Sequence, residues 1–430
     1  MLLSDLDISS EYKKYGRVVM HIDVNSAFLS WQAAYNLQKG DSLDLRNVPS
    51  VVGGSKEDRR GIVLAKSTPA KKFDIQTGEV LWSARAKCPG LIVVPPDYEL
   101  YVKSSNALYD VAQTFSPKVQ RFSVDEVFLD YTGMEDHFGD PVTAAHFFKN
   151  KIKEELGFTV NVGVSSNKLL AKMAGELKKP DMVHTLWPYE IEEKMWPLPV
   201  EELFMVGRRT APKLKGMCIY TIGDLAKADI VRLTRKLKSF GYLLSAYARG
   251  LEDGPVHTGR YIEMKGMGNS TTMKFDVTEG EVACKMLLSL TETVCMRLRS
   301  TESCCSVMSV EFRSSDLSWY SHQRKISPPT NLTNEIFEVI KQLFYEGWKG
   351  EPLRHLGVRV SGLSCDDFIQ FTIFDYSFKE KRMALDSAID GIRGKYGKMA
   401  IMRGVFLDGV FASMSGGSGA EDGPVMSSQL

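Results

Sequence analysis

The chain has 430 residues, of which 43% are hydrophobic and 25% are charged, and its formal net charge is +1. That length exceeds what one ordinary hydrophobic core supports, so we expect two or more domains of globular composition. No apolar run reaches the roughly 18 residues that a membrane span needs, and residues 1–7 carry acids rather than the basic start of a signal peptide.

The N-terminal part of the chain alternates between strand and helix patterns. Strands are predicted at residues 17–24, 48–53, 61–65, 121–131 and 158–164. Helices are predicted at residues 26–39, 98–115, 142–156 and 167–178. This alternation predicts a sheet covered by helices, which a small β-rich insertion near residues 40–80 interrupts.

The segment from about residue 188 to 251 is short, helical and basic. Its turn at 206–211, followed by residues 219–225, is typical of paired helix-hairpin-helix elements that offer backbone N–H groups to DNA phosphates. Met205 replaces the usual first glycine of that turn, and a purely structural helical turn is the alternative. A linker-like stretch at 251–267 then precedes an α+β unit at about 268–362, and the Gly/Ser-rich residues after 413 predict disorder.

The α+β unit itself shows fewer clear elements. Its patterns predict helices at 281–299 and 331–344 and strands at 307–313 and 356–361. The seven cysteines of the chain form no CxxC pair and no cysteine–histidine group with zinc spacing. We therefore expect reduced thiols, a cytoplasmic protein and no structural zinc.

Charge is distributed unevenly along the chain. Residues 46–72 hold seven lysines and arginines against two acids, and residues 201–250 hold ten against four. Between them, residues 121–140 hold one arginine against six acids. This pattern fits a metal site between phosphate-binding surfaces, although charge alone favours an uneven solvated surface equally well.

Three carboxylates lie within apolar, β-favouring runs. Asp125 and Glu126 interrupt the run at 123–130, and Asp23 lies in the predicted first strand. Burying such groups is unfavourable unless a cation meets them, so the three could converge on a pair of Mg²⁺ ions. Neighbouring strand residues point to opposite faces, so Asp125 and Glu126 can share a site only where the strand bends or ends. A solvent-facing strand end is the simpler interpretation of the pair alone.

Four motifs, in chain order, resemble the sequences of Y-family (translesion) DNA polymerases. They are His21-Ile22-Asp23-Val24-Asn25-Ser26-Ala27-Phe28, Ser123-Val124-Asp125-Glu126, the run from Val162 to Lys172, and the run from Leu356 to Leu363. The likeness is strongest to the bacterial DNA polymerase IV/UmuC-like branch. It implies an α+β multidomain, right-hand polymerase fold with a ferredoxin-like palm, small fingers, a helical helix-hairpin-helix thumb and an α+β little finger.

The resemblance also divides the chain. It implies a palm at 1–39 and 80–187, fingers at 40–79, a thumb at 188–255, a linker at 256–267, a little finger at 268–363, a C-terminal extension with a clamp-binding peptide at 364–412, and a disordered tail at 413–430. The role of the extension beyond that peptide is not predicted.

The resemblance assigns the metal site and the nucleotide site. Asp23, Asp125 and Glu126, with the carbonyl of Val24, would bind two Mg²⁺ ions that activate the primer 3′-hydroxyl and stabilise the leaving pyrophosphate. Phe28, five residues after Asp23, matches the steric gate that excludes a ribose 2′-hydroxyl. Its pattern alone predicts a core aromatic of an amphipathic helix.

Thr68, Lys71 and Lys179 match positions that contact the incoming triphosphate. Many family members have a tyrosine in place of Thr68 and an arginine in place of Lys71, and polymerase IV often has an aspartate in place of Asn25. A lysine keeps the charge but loses the bidentate fork of arginine, so these departures affect the expected nucleotide affinity and lesion preference. A solvated basic loop is the alternative for Lys71 and Lys72.

Two further contacts follow from the resemblance. Gly207, Arg208, Arg209 and Thr210 would bind DNA through the helix-hairpin-helix turn. The peptide at 370–374 resembles a clamp-binding peptide, in which Gln370, Ile373 and Phe374 would enter the sliding clamp, although the peptide also reads as an ordinary strand.

The function that these features predict is template-directed, low-fidelity DNA synthesis past damaged template. No separate exonuclease site is evident, so we expect no proofreading. The partners would be primer–template DNA, deoxynucleoside triphosphates and a sliding clamp, and the chain would act as a monomer. A non-catalytic, DNA- and clamp-binding accessory protein of the same fold is the main alternative, but such a protein would be expected to lose the three carboxylates. A metal-dependent nuclease has no support from Phe28 or Lys179.

Overall fold

The structure is a computed structural model that describes residues 16–54, 61–258, 264–365, 376–397 and 399–407. Within those residues, no helix combines the length and the apolar character that crossing a membrane would require. The described chain forms two compact units, one within residues 16–53 and 62–258 and the other within residues 264–407.

The first unit contains eight strands and eleven α-helices among its described residues. They are β1 (Val19–Val24), α1 (Ala27–Gln38), β2 (Ser50–Gly53), β3 (Val63–Lys66), α2 (Thr68–Lys71), α3 (Leu81–Lys87), β4 (Ile92–Val94), α4 (Tyr98–Phe115), β5 (Val119–Arg121), β6 (Glu126–Asp130), α5 (Glu135–Phe138), α6 (Pro141–Leu156), β7 (Val160–Ser165), α7 (Lys168–Glu176), β8 (Val183–Thr185), α8 (Ala211–Lys215), α9 (Ile222–Lys227), α10 (Ile230–Leu237) and α11 (Ser239–Ala248).

Strand β1 lies at the centre of a five-stranded sheet with the order β5-β6-β1-β7-β8. It pairs antiparallel with β6 on one edge and with β7 on the other. All six of its residues are buried, because alternate side chains enter two different cores. Met20, Ile22 and Val24 pack into the core with α1, α4 and α6. His21 and Asp23 therefore point to the opposite face, where α7 lies.

Helix α7 packs unusually close to the sheet. A Cβ atom at Gly163 of β7 would lie 2.0 Å from the carbonyl oxygen of Ala171, and one at Gly175 would lie 3.3 Å from the ring of His21. Any other residue at Gly163 would require backbone movement, whereas a Cβ at Gly175 would make only a tight contact with the His21 side chain.

A three-stranded sheet with the order β3-β2-β4 forms the insertion. Strands β2 and β3 are antiparallel, whereas β2 and β4 are parallel. Leu81, Ala84, Cys88 and Leu91 belong to the same small core as Val51. The predicted boundary between residues 79 and 80 therefore cuts through this sheet and its core, which continue to Val94. The strand pairing of β4 is non-local, so the sequence pattern did not reveal it.

The predicted single strand at 121–131 is wrong. Strands β5 and β6 are two antiparallel strands, and a turn at residues 122–125 separates them. The N–H groups of Phe122 and Ser123 both donate to the carbonyl of Glu126, which closes that turn. The β-favouring composition continues through the turn, so it could not show the break.

The helical segment from residue 188 to 248 shares a core with α7: Leu203, Leu214 and Leu244 are buried in one cluster with Leu170 and Met173. Helix α8 begins at the end of the turn predicted at 206–211, and residues 216–221 connect it to α9. Met205 has a φ of 76°, the left-handed conformation that favours glycine, which agrees with its place where a turn glycine is usual.

The second unit contains β9 (Gly266–Val277), α12 (Gly280–Ser300), β10 (Ser303–Ser314), β11 (Trp319–Thr330), α13 (Thr333–Gly347), β12 (Leu353–Cys365) and α14 (Tyr376–Tyr396). Its four strands form an antiparallel sheet with the order β11-β10-β12-β9, and α12 and α13 share its core. The sequence did not predict β9 and β11. Because β9 begins at Gly266, the end of the predicted linker at 256–267 is part of the sheet. The peptide at 370–374 and the tail at 413–430 lie outside the described residues.

Candidate active site

The pairing of β1 with β6 brings two of the three predicted carboxylates together. Asp23 lies directly opposite Glu126 in the antiparallel register. Directly opposed residues project from the same face of a sheet, so both side chains lie on the face that α7 covers. His21, two residues before Asp23, shares that face.

Asp125 reaches the site because it precedes the strand. Strand β6 begins at Glu126, so Asp125 belongs to the turn and is free of the strand's alternation. The hydroxyl of Ser123 donates to Asp125 Oδ1 at 2.5 Å, and the Val24 N–H donates to the Asp125 carbonyl at 3.1 Å. Asp125 and Glu126 were expected to share a site only if the strand bends or ends between them. The start of β6 at Glu126 meets this condition.

Two adjoining cavities lie at Asp23, and Glu126 is not among the lining residues of either. The first, which we call the carboxylate cavity, has a volume of about 320 Å³ and is lined by Asp23, Val24, Phe28, Lys71 and Asp125 among others. The second, the lysine cavity, has a volume of about 520 Å³ and is lined by Asp23, Asn25, Thr68, Lys71 and Lys179 among others. Asp23 and Lys71 line both. All the predicted nucleotide-binding residues therefore line one or the other cavity.

Each sheet carboxylate meets a lysine. Lys179 Nζ lies 2.6 Å from Asp23 Oδ2 and 2.8 Å from Glu176 Oε1. Lys172 forms an ion pair with Glu126 Oε2, and His21 Nε2 lies 3.0 Å from the same oxygen. Glu126 is thereby turned toward α7. Within the described residues, no three histidine, cysteine or acidic side chains converge closely enough to hold a metal ion.

The electrostatics of the site nevertheless suit a cation. Burial, reinforced by the charges of Glu126 and Asp125, raises the pKa of Asp23 to about 7 although Lys179 acts in the opposite direction. Burial also raises the pKa of Asp125. For Glu126, burial acts upward, but His21 and Lys172 prevail and lower its pKa to about 2. The raised pKa values of Asp23 and Asp125 mean that the nearby lysines do not fully offset the cost of burying their negative charge, and hard oxygen donors of this kind fit a divalent ion such as Mg²⁺.

Phe28 forms part of an aromatic cluster at the wall of the carboxylate cavity. Its ring stacks on Tyr101, with centroids 4.5 Å apart and planes at 7°, and meets the edge of Tyr98. Tyr101 is 1% exposed, so the ring that supports Phe28 is fixed in the core. One face of Phe28 therefore packs against the core while the residue also lines the cavity, and its role as a steric gate stays a prediction.

Comparisons with known proteins agree with this geometry. The impB/mucB/samB family matches residues 22–176, and the impB/mucB/samB family C-terminal domain matches residues 264–373. DNA polymerase IV of Clostridium acetobutylicum is 46% identical over 396 residues, which cover 91% of this chain and 98% of that protein. DNA polymerase IV of Acetivibrio thermocellus is 36% identical and covers the same shares.

A solved structure shows the same fold. The Y-family DNA polymerase chimera Dbh-Dpo4(243-245)-Dbh superposes with a TM-score of 0.71 and 22% identity, over 81% of this chain and 99% of that chain. The chain belongs to the Y family of DNA polymerases. Its right-hand, multidomain α+β fold class is thereby confirmed.

This Y-family chain is a DNA-directed DNA polymerase of the translesion class, on the polymerase IV branch. The non-catalytic accessory protein is not favoured, because the relatives are polymerases and all three carboxylates are present. Y-family membership implies dependence on a divalent metal, which fits the charge of the carboxylate cavity.

The predicted DNA-binding turn of this Y-family chain is exposed. Gly207, Arg208 and Arg209 are exposed, and Thr210 is half-buried immediately before α8. The side chains of Arg208 and Arg209 form no ion pair or hydrogen bond with other described residues. Both cations are therefore available to an anionic partner. The predicted clamp-binding residues Gln370, Ile373 and Phe374 lie outside the described residues.

Three residues of the site were missed at the sequence level: His21, Tyr101 and Lys172. Lys172 carried the same signal that singled out the carboxylates, because it is a charged residue within a buried apolar run, Leu169–Gly175. Tyr101 and His21 gave no comparable signal, since a buried aromatic and a lone histidine on a strand are most often ordinary core residues.

Proposed function

We propose that Asp23, Asp125 and Glu126 form the catalytic centre that extends a primer 3′-hydroxyl with deoxynucleotides on a DNA template. The observation that carries this proposal is the convergence of Asp23, Asp125 and Lys71 on one cavity whose wall is Phe28. Two Mg²⁺ ions bound by the three carboxylates and the Val24 carbonyl would activate the hydroxyl and stabilise the leaving pyrophosphate.

The lysine cavity suits the triphosphate. Lys71 makes no ion pair or hydrogen bond through its side chain with other described residues, so its charge is available. Lys179 pairs with Asp23 and would be shared with a triphosphate bound beside it. Thr68 is the first residue and Lys71 the last residue of helix α2, so the same short helix positions both. These three residues would bind and orient the nucleotide.

We propose that the chain does not proofread, because its sequence carries no separate exonuclease constellation. We propose that the turn at 207–210 binds a DNA phosphate, since its two arginines are exposed. We also propose that the peptide at 370–374 binds a sliding clamp, that the chain acts as a monomer, and that it works in the cytoplasm. The sequence resemblance supports the first two of these proposals, and the absence of CxxC pairs among the seven cysteines supports the third.

The test is primer extension with Mg²⁺ and four deoxynucleoside triphosphates. Asp125→Asn should abolish extension, because it keeps the shape of the side chain and removes its charge. Asp130→Asn is the matched control: Asp130 ends β6, the strand that follows Asp125, and it faces Lys118 at 3.8 Å. It should extend primers like the wild type.

Failure is also informative. A folded wild-type chain that binds primer–template DNA but does not extend it, with clamp present, would favour the accessory protein. Extension that survives in Asp125→Asn would mean that the assignment of the carboxylates is wrong. DNA cleavage without nucleotides would favour the nuclease.

A further inference from the structure

We propose that Lys172 is a positioning residue, which with His21 holds one oxygen of Glu126 and leaves the other oxygen for the metal site. The proposal deepens the proposed function and rests on it, because Glu126 is taken there as a metal ligand. It adds a residue that touches neither nucleotide nor DNA but acts through the carboxylate.

The hydrogen bonds of Glu126 are one-sided. Lys172 Nζ and His21 Nε2 both meet Oε2, the histidine at 3.0 Å. Oε1 accepts no hydrogen bond from any described residue. A carboxylate held at one oxygen has lost most of its freedom to rotate, so the second oxygen presents its lone pairs in a fixed direction. That is the arrangement by which outer partners orient a ligating carboxylate.

The contacts of Lys172 fit this positioning role. Its side chain is only 10% exposed, and Glu126 is its single ion-pair partner among the described residues. The ring of Phe122 lies 5.1 Å from its Nζ and the ring of Phe204 lies 5.6 Å away. Two aromatic faces thus replace water around the ammonium group, which strengthens its attraction to the carboxylate.

The two rings come from different parts of the unit. Phe122 belongs to the turn that also carries Asp125, and Phe204 belongs to the helical segment that begins at residue 188. Phe204 also stacks near Tyr247 of α11 and contacts Phe122. Lys172 therefore lies where the metal-binding turn, helix α7 and the helical segment meet, so the orientation of Glu126 depends on all three.

Close packing of α7 makes this geometry possible. Lys172 follows Ala171, whose carbonyl occupies the space that a Cβ at Gly163 would need. The helix is thus near enough to the sheet for a buried lysine to reach Glu126. A lysine at an exposed position of the same helix could not do so.

The experiment compares Lys172→Met, Lys172→Arg and Lys168→Met with the wild-type chain. Lys168 is the matched control, since it is a buried lysine of the same helix but faces Glu252 at 3.9 Å. We would measure kcat and KM for single-nucleotide incorporation, Mn²⁺ binding by electron paramagnetic resonance, and thermal unfolding.

We expect Lys172→Met to lower kcat by about 10–100-fold, the range typical of lost outer partners. KM for the nucleotide should stay within about three-fold, because Lys71 and Lys179 are untouched. Mn²⁺ should bind no more tightly than to the wild type, although a positive charge has been removed. Lys172→Arg should recover most of the lost rate, and Lys168→Met should change stability without changing kcat.

The outcomes separate this proposal from the proposed function. Wild-type kcat in folded Lys172→Met would overturn the positioning role and leave the polymerase assignment intact, whereas an inactive wild type would remove the basis of both. Tighter Mn²⁺ binding with an unchanged rate would show that Lys172 only competes with the metal. If Lys172→Met does not fold, Phe204→Leu keeps the lysine and should lower kcat by about two- to five-fold, whereas an unchanged rate would overturn the proposal.

Discussion

Phe28 is held from behind by Tyr101, so its ring is a rigid part of the cavity wall. Phe28→Leu should raise the ratio of ribonucleotide to deoxynucleotide incorporation by about 10–200-fold, since a smaller wall no longer excludes a 2′-hydroxyl. The measurement is kcat/KM for a matched pair of nucleotides. Phe147→Leu, an exposed ring on α6, is the control and should leave the ratio unchanged. An unchanged ratio in Phe28→Leu would identify Phe28 as a core residue only.

The carboxylate of Asp23, which the proposed metal site requires in its charged form, is buried in the sheet, where a charge is unfavourable. Its pKa rises from 3.8 to about 7 on folding, mainly through burial, so the folded chain gains stability from it below pH 4 and loses that contribution as pH rises through 7. In EDTA at pH 8, Asp23→Asn should therefore be more stable than the wild type, by at most about 4 kcal/mol. The difference should vanish near pH 4.

Chemical denaturation between pH 4 and pH 8 measures the difference in stability between Asp23→Asn and the wild type. Because both proteins contain His21, the contribution of that histidine cancels in the difference. Added Mg²⁺ should narrow the gap at pH 8, because a metal that binds only the folded wild type stabilises it. A wild type that stays the more stable protein in EDTA at pH 8 would refute the account of Asp23.

At the scale of elements, sequence periodicity predicted those helices and strands whose buried faces repeat regularly. Helix α4 was predicted with its observed bounds, and β1 to within two residues. Strand β11 was missed because it is an edge strand, where one face is exposed and Pro328 and Pro329 are tolerated. The turn before β6 was missed because the backbone bonds that close it leave no trace in composition.

The same distinction applies to the site. The register from Asp23 gave Phe28, and the motifs gave Asp125 and Glu126, because these depend on local spacing. The partners of Glu126 depend on how α7 meets the sheet. Lys172 lies 46 residues from Glu126, and no local pattern joins the two.

Helix α14 attaches the C-terminal extension to the second unit, although the sequence predicted no role for the extension beyond its clamp-binding peptide. Glu292 of α12 is 8% exposed and accepts from Arg393 at 2.9 Å and from Arg403 at 2.5 Å. Arg299 binds Asp386 and Asp390 of α14 in the same way. Buried ion pairs thus fasten the extension to the second unit.

Glu292→Gln should lower the free energy of unfolding of the second unit by about 3 kcal/mol, because two arginines lose their shared carboxylate. Glu346→Gln breaks an exposed pair with Arg324 in the same unit and should change it by less than about 0.5 kcal/mol. Denaturant titrations of both variants measure the difference. Equal effects would mean that the buried pairs do not secure the extension.

At the scale of the whole molecule, the two units have separate hydrophobic cores. Scanning calorimetry should therefore resolve at least two transitions. Glu292→Gln should shift only one of them, and Asp23→Asn in EDTA should shift another. A single transition that both substitutions move together would show that the units unfold as one.

The central place of β1 has a consequence for exchange of amide hydrogens with solvent. Because β6 and β7 bond to both of its edges, the amides around Asp23 exchange only when the sheet opens as a whole. Lys71 ends a helix of four residues in the small insertion, and deuterium should enter there much sooner. The backbone at the nucleotide side of the cavity can therefore open locally while the strand that carries Asp23 keeps its hydrogen bonds.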